Sequence, residues 1–121
     1  MISQRKREGW LGEVLAARYY RDHGYRILDA NFRMPVGELD IIAYKDDTLI
    51  FCEVKTYRFS EKRYMGDAVD EHKRRRMVVT AVLYQQMIGF EGKVRFDVAQ
   101  VNVQAPEGNQ VTLIENAFEL N

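Results

Sequence analysis

Apolar positions recur at helical spacing over residues 3–23, with Trp10, Leu11, Val14 and Leu15 on one side, and Gly24 follows where a left-handed cap ends a helix. The pattern then changes. "YRILDANF" predicts a first strand that breaks near Pro35, and "GELDIIAYKDDTLIFCEVK", residues 37–55, predicts two more strands joined at Asp46 and Asp47. "TYRFSEKRYMG", residues 56–66, mixes polar and aromatic residues without a period and predicts a mobile loop. "DAVDEHKRRRMVVTAVLYQQMIGF" predicts a second helix, opened by acidic residues with its basic run behind them. "KVRFDVAQVNVQ" alternates as a strand, "APEGN" turns the chain, and "QVTLIENAF" supplies a last strand. The order α-β-β-β-α-β-β, without repeats or a linker, predicts a single α/β domain over residues 1–121.

Both faces of the two strands in residues 37–55 are apolar away from their charges, which predicts central strands covered on both sides. Glu38, Asp40, Ile42 and Tyr44 share one face by parity, and Leu39, Ile41 and Ala43 the other. Leu49, Phe51, Glu53 and Lys55 likewise share a face of the next strand. A two-residue turn at Asp46-Asp47 pairs Lys45 with Thr48, sets Asp40 opposite Glu53 and sets Glu38 opposite Lys55. A four-residue loop keeps that register, whereas an odd-length loop without a bulge separates Asp40 from Glu53.

Two carboxylates directly across a ladder have Cβ atoms about 5 Å apart and repel unless a proton or cation lies between them. A hard divalent ion such as Mg²⁺, or Mn²⁺ in its place, suits carboxylate oxygens and keeps several waters. Lys55 stands about 7 Å further along the strand, placed for a water or a phosphate oxygen. Those are the parts that phosphodiester hydrolysis needs. The plainer alternative makes Glu38 and Lys55 an ordinary cross-strand ion pair, with Asp40 bonded to loop amides.

Composition narrows the classes. The apolar fraction of 46% suits a soluble domain with a real core, and 18 basic residues balance 18 acidic ones, so any nucleic-acid surface must be local. Cys52 is the single cysteine, which excludes an intramolecular disulfide and a thiolate metal cage and reads as a buried strand thiol. The start "MISQRKREGW" lacks the apolar stretch of a secretory signal, and no run is long enough to span a bilayer, so a cytoplasmic protein with no membrane partner is expected.

"GELD" followed by "CEVK" resembles the bipartite motif of the PD-(D/E)xK nuclease superfamily, with Asp40, Glu53 and Lys55 in the signature positions. More narrowly, residues 12–55 together with "RFDV" and "NAF" resemble uncharacterised protein family 0102, the YraN-like proteins, over residues 9–118. The resemblance implies a restriction-endonuclease-like core, a central mixed sheet flanked by helices, and Mg²⁺-dependent cleavage of nucleic-acid phosphodiesters. The layout is also similar to archaeal Holliday junction resolvases, where a first-helix glutamate joins the metal site; Glu13 matches it, and the Val54 carbonyl is a further ligand candidate. Structured or branched DNA is the substrate this implies. Two departures stand out: Leu39 replaces the nominal proline, and "EVKTYR" moves the usual arginine to Arg58.

Gly9, Gly12, Glu13, Ala16, Ala17 and Tyr20 fall on one helical stripe, where small residues let the helix approach the sheet and bring Glu13 over Asp40 and Glu53. For DNA contact, Lys73 and Arg74 lead the basic run 73–76, Arg76 borders the packed face, and Arg5, Lys6 and Arg7 open the first helix. Tyr57, Arg58, Phe59, Lys62, Arg63 and Tyr64 suit stacking on unpaired bases, and equally suit a loop that orders in a homodimer. A module that keeps the fold without the chemistry, binding nucleic acid or a partner protein, is the competing expectation.

Overall fold

The computed structural model describes residues 2–58 and 70–119. The chain runs α1 (Gln4–Asp22), β1 (Arg26–Met34), β2 (Gly37–Lys45), β3 (Thr48–Tyr57), α2 (Glu71–Ile88), β4 (Lys93–Asn102) and β5 (Val111–Phe118). This is the order expected from the sequence. The five strands form one mixed sheet in the spatial order β1-β2-β3-β4-β5, in which only β3 and β4 pair in parallel. The parallel step is the one that needs a long crossover, and α2 lies in it.

Local chemistry sets the ends of each element. Ser3 caps α1 by accepting from the Lys6 N–H, and Asp70 caps α2 by accepting from the Lys73 N–H at 2.8 Å. Gly24 (φ 87°) and Gly89 (φ 70°) take the left-handed conformation as the two helices end. At the β2–β3 turn Asp46 and Asp47 both have positive φ, 50° and 59°, and Lys45 pairs with Thr48. Two left-handed residues in a row match the twist of the flanking strands, and Asp tolerates that region better than most side chains.

Each face of the sheet carries one helix. On one side α2 packs Met77, Ala81 and Tyr84 on Leu39, Ile42, Leu49 and Phe51, continued by Phe96 and Phe118. Phe51, Phe96 and Phe118 stack in series, with centroid separations of 5.6 and 4.9 Å. On the other side α1 lays Ala16 and Tyr20 on Ile41, Ala43, Ile50, Cys52, Ala99 and Val101. Residues 49–53 of β3 are buried without a break, as a strand covered on both faces must be.

Four expectations need correction. Trp10, Leu11 and Val14 are solvent-exposed, and the buried residues of α1 are Gly12, Ala16 and Tyr20. The reason is distance: a Cβ on Gly12 would collide with the Thr56 hydroxyl, so the helix lies too close to β3 for a bulky stripe. Gly9 has open space around it and plays no part in that approach. Thr56 and Tyr57 are not loop; they extend β3 and pair with Val101 and Asn102 of β4. The rest of the expected loop, residues 59–66, lies outside the described residues, as does the expected start of α2 at 67–69. Finally, strict alternation fails on β2, because Leu39 packs with Ile42 on the α2 side while Ile41 and Ala43 face α1. The irregularity falls at Asp40, across from Asn31, which itself has φ 54°.

Candidate active site

The β2–β3 ladder runs from Lys45–Thr48 to Ile41–Cys52, and the next pair in that register is Asp40 and Glu53. Here backbone pairing gives way to side-chain pairing: the Val54 N–H donates to Asp40 Oδ2 at 2.8 Å. Asp40 and Glu53 are 9% and 4% exposed, so both carboxylates sit where desolvation is severe. Burial, then the neighbouring Glu53 charge, push the Asp40 carboxyl up to about 7, against the partial relief of the Val54 N–H and the Lys73 ammonium. The two acids lie close enough for the Glu53 charge to act on Asp40, one step beyond the last backbone pair of the ladder.

Glu53 lies on the α2 side and its oxygens differ. Lys73 Nζ, from the first turn of α2, donates to Oε1 at 2.7 Å, and Lys55 Nζ stands 4.0 Å from the same oxygen. Oε2 is buried and has no hydrogen-bond partner among the described residues. Burial works against the Lys73 ammonium, but its bond to Glu53 and the charges of Glu53 and Asp40 outweigh it, so its pKa is raised. Burial, then the like charge of Lys73, lower that of Lys55. The two lysines around one carboxylate are thus shifted in opposite directions.

The other expected residues divide between this cluster and its surroundings. Glu13 is half-buried beside it: burial raises its carboxyl, a hydrogen bond with Asn31 opposes that, and the charges of Asp40 and Glu38 raise it further. Among the described residues, no three His, Cys, Asp or Glu side chains converge closely enough to hold a metal ion, so Glu13 borders the Asp40–Glu53 pair without joining it. Glu38 does not face Lys55. It pairs with Arg33 of β1, at 3.5 Å between Nε and Oε2, because β2 and β3 part beyond Asp40. Arg58 is held by Glu8 of α1 through contacts of 2.9 and 3.1 Å. Arg74 lies over the Phe118 ring at 5.3 Å, and Arg76 is exposed with its Nε donating to the Val36 carbonyl. Of the basic run, only Lys73 reaches the acids.

Two clefts flank the cluster. One, of about 440 Å³, lies between α1 and the end of β3 and is lined by Glu8, Glu13, Val54, Thr56 and Arg58 among others. The second, of about 380 Å³, lies between β2 and α2 and is lined by Arg33, Glu38, Asp70, Lys73 and Arg76 among others. The contact of Lys73 with Glu53 was missed from sequence, where the lysine read as a candidate for DNA contact. Topology was the available signal: a helix leaving a parallel strand starts near that strand's carboxyl end, which is where Glu53 stands.

The sequence profile of Uncharacterised protein family UPF0102 matches residues 12–101. A UPF0102 protein of Syntrophus aciditrophicus is 41% identical over 120 residues, covering 98% of this chain and 94% of that protein. One from Desulfosudis oleivorans is 40% identical over 122 residues, with 100% and 97% covered. One from Moorella thermoacetica is 38% identical, with 98% and 100% covered. The chain belongs to the UPF0102 family.

In this UPF0102 protein the "RFDV" segment builds a second buried polar cluster, away from the acids of β2 and β3. Asp97, wholly buried on β4, accepts from Tyr20 Oη at 2.7 Å, from Arg95 Nε and Nη2 at 2.9 Å each, and from the Asn116 N–H at 2.9 Å. Every partner comes from a different stretch, so Asp97 ties α1, β4 and β5 together. Its role is to fix the helix that carries Glu13. No helix among the described residues of the UPF0102 protein is long and apolar enough to cross a membrane.

Proposed function

We propose that this protein is a divalent-metal-dependent nuclease-like phosphodiesterase acting on nucleic acid, with structured or branched DNA as its substrate class. The observation that carries the reading is Glu53 Oε2, a buried carboxylate oxygen without a hydrogen-bond partner among the described residues, beside a second buried carboxylate on Asp40. Unpaired buried oxygens of this kind are expensive unless something of opposite charge visits them. Two carboxylates fit Mg²⁺ or Mn²⁺, which is commonly held by one or two protein carboxylates with water and substrate phosphates completing the shell. Asp40 and Glu53 would hold the ion, with the Val54 carbonyl and Glu13 beside them. Such an ion supplies charge stabilisation at phosphorus and a more acidic water.

The chain's own groups do the rest. Lys55, with its lowered pKa, is suited to orient or take a proton from the attacking water. The Val54 N–H holds Asp40 Oδ2 in place, and β3 itself fixes the separation of Glu53 from Lys55. Lys73 and Arg76, on the wall of the cleft between β2 and α2, suit phosphate contact on one side of the acids. A homodimer would set two such sites on one branched substrate.

The competing reading, a nuclease fold that binds without cutting, is favoured by one observation: Lys73 already satisfies Glu53 Oε1. Cleavage assays on linear, flapped and branched DNA with Mg²⁺ or Mn²⁺ decide between them. Activity is expected, with loss in Asp40→Asn and Lys55→Ala while circular dichroism shows the fold intact. An inert wild-type protein on all three substrates with both metals would refute the catalytic reading.

A further inference from the structure

Lys73 does something that neither a metal ligand nor a surface phosphate contact would do. Its ammonium sits against the buried face of Glu53, at 2.7 Å, on the carboxylate that the proposed metal needs. We propose that Lys73 is a displaceable resident cation: it neutralises Glu53 while the site is metal-free, yields that carboxylate to an incoming divalent ion, and turns to a backbone phosphate of the substrate. This rests on the nuclease-like reading of the site and adds a gate to it.

Three features support displacement over a permanent ion pair. Lys73 stands in the first turn of α2, and its side chain is 34% exposed against 5% for Glu53. A long flexible stem at the rim of a site can leave it; the carboxylate on the central strand cannot. Space for the departure exists, because Lys73 also lines the cleft of about 380 Å³ shared with Arg33, His72 and Arg76. A phosphate there would meet Lys73 and Arg76, with Arg33 paired to Glu38 and the Asp70 carboxylate on the same lining. Lys55 Nζ at 4.0 Å also remains near Glu53 when Lys73 goes, so the carboxylate is not stripped of all positive neighbours.

The physical consequence is coupling. A divalent ion on Glu53 competes with the Lys73 ammonium for the charge of that carboxylate, and one that takes Oε1 as well as Oε2 has to break a charge-assisted hydrogen bond, which weakens metal binding to the free protein. A phosphate that captures the freed ammonium removes that competition, so substrate and metal each tighten the binding of the other by the same factor.

The test is calorimetric titration of Mn²⁺ alone into the metal-free wild-type protein and into Lys73→Gln, Lys73→Met and Lys55→Met. Lys73→Gln retains a donor for Glu53, so the comparison survives if Lys73→Met fails to fold. Removing the competitor is expected to tighten Mn²⁺ binding about 10- to 100-fold in Lys73→Met and, because a neutral amide still donates to Glu53, about 10-fold in Lys73→Gln. Lys55→Met, which removes a nearby charge that makes no short contact, is expected to tighten it less than about five-fold. Unchanged or weaker binding in the Lys73 variants overturns the gate while leaving the metal site standing. Equal tightening by Lys55→Met also overturns it, since bulk charge would then suffice. Absence of Mn²⁺ binding in every protein, wild type included, overturns the nuclease-like reading itself and the gate with it.

Discussion

Asp40→Asn should stabilise the metal-free protein, by an amount that grows as pH rises from about 4 and levels off above about 7. The folded state lifts the Asp40 carboxyl from its ordinary 3.8 to about 7, by burial first and the Glu53 charge second. Between those two values the folded chain keeps a proton that the unfolded chain has released. Folding stability therefore falls as pH rises through that window and levels off above about 7. Each tenfold gain in proton affinity on folding corresponds to about 1.4 kcal/mol, so the full cost of ionising Asp40 in the folded chain is about 4 kcal/mol. Sharing of the effect with Glu53 sets a working range of about 2–4 kcal/mol. Asparagine carries no charge, has nearly the same shape, and keeps an oxygen for the Val54 N–H. In urea unfolding followed by far-ultraviolet circular dichroism, with chelator present, the variant should exceed wild type by about 2–4 kcal/mol at pH 8 and match it within about 0.5 kcal/mol at pH 4. Adding Mn²⁺ at pH 8 should reverse the order, because only wild type gains binding free energy. A variant equally or less stable at pH 8, or a difference that does not change with pH, would refute the reasoning.

Other substitutions test how the two faces hold the site. Gly12→Val should cost about 1–3 kcal/mol, since its side chain must push α1 off Thr56, whereas Gly9→Ala, facing open space, should be neutral or stabilising by up to about 1 kcal/mol; thermal melts compare them directly. Asp97→Ala should be the most damaging change in the second cluster, about 3–5 kcal/mol, because it leaves Arg95 half-buried without its main partner. Tyr20→Phe removes only one of four donors to Asp97 and should cost about 1–2 kcal/mol in the same unfolding assay.

The contrast between Gly12 and Gly9 shows why the site is cheap to disturb from a distance. Glu13 owes its place beside Asp40 to a helix that approaches β3 within side-chain contact, and Asp97 pins that helix through Tyr20. The acids themselves are held more simply, by the β2–β3 ladder and one backbone N–H. First-helix variants should thus perturb Glu13 before they perturb Asp40 or Glu53.

The order of elements, the turn at Asp46-Asp47, and the meeting of Asp40 with Glu53 were all legible in the chain, because each follows from a local period or from counting across a hairpin. Strand registers propagate: once two turn residues are placed, the facing partners follow for as long as the ladder lasts. Tertiary structure decided where the ladder stops. Asp40 takes the Val54 N–H with its side chain, so Glu38 leaves for Arg33, and Leu39 turns to the α2 side. It also decided which face of α1 is buried, since close approach at Gly12 outweighs the apolar content of Trp10, Leu11 and Val14. Lys73 reached Glu53 for the same kind of reason. Its distance from Glu53 along the chain carries no periodic signal, and only the crossover from β3 through α2 to β4 brings an ammonium from a helix start onto a carboxylate near a strand end. Local patterns specify elements and adjacent pairings; contacts between a helix and a sheet depend on how closely the two surfaces can approach, which no single segment encodes.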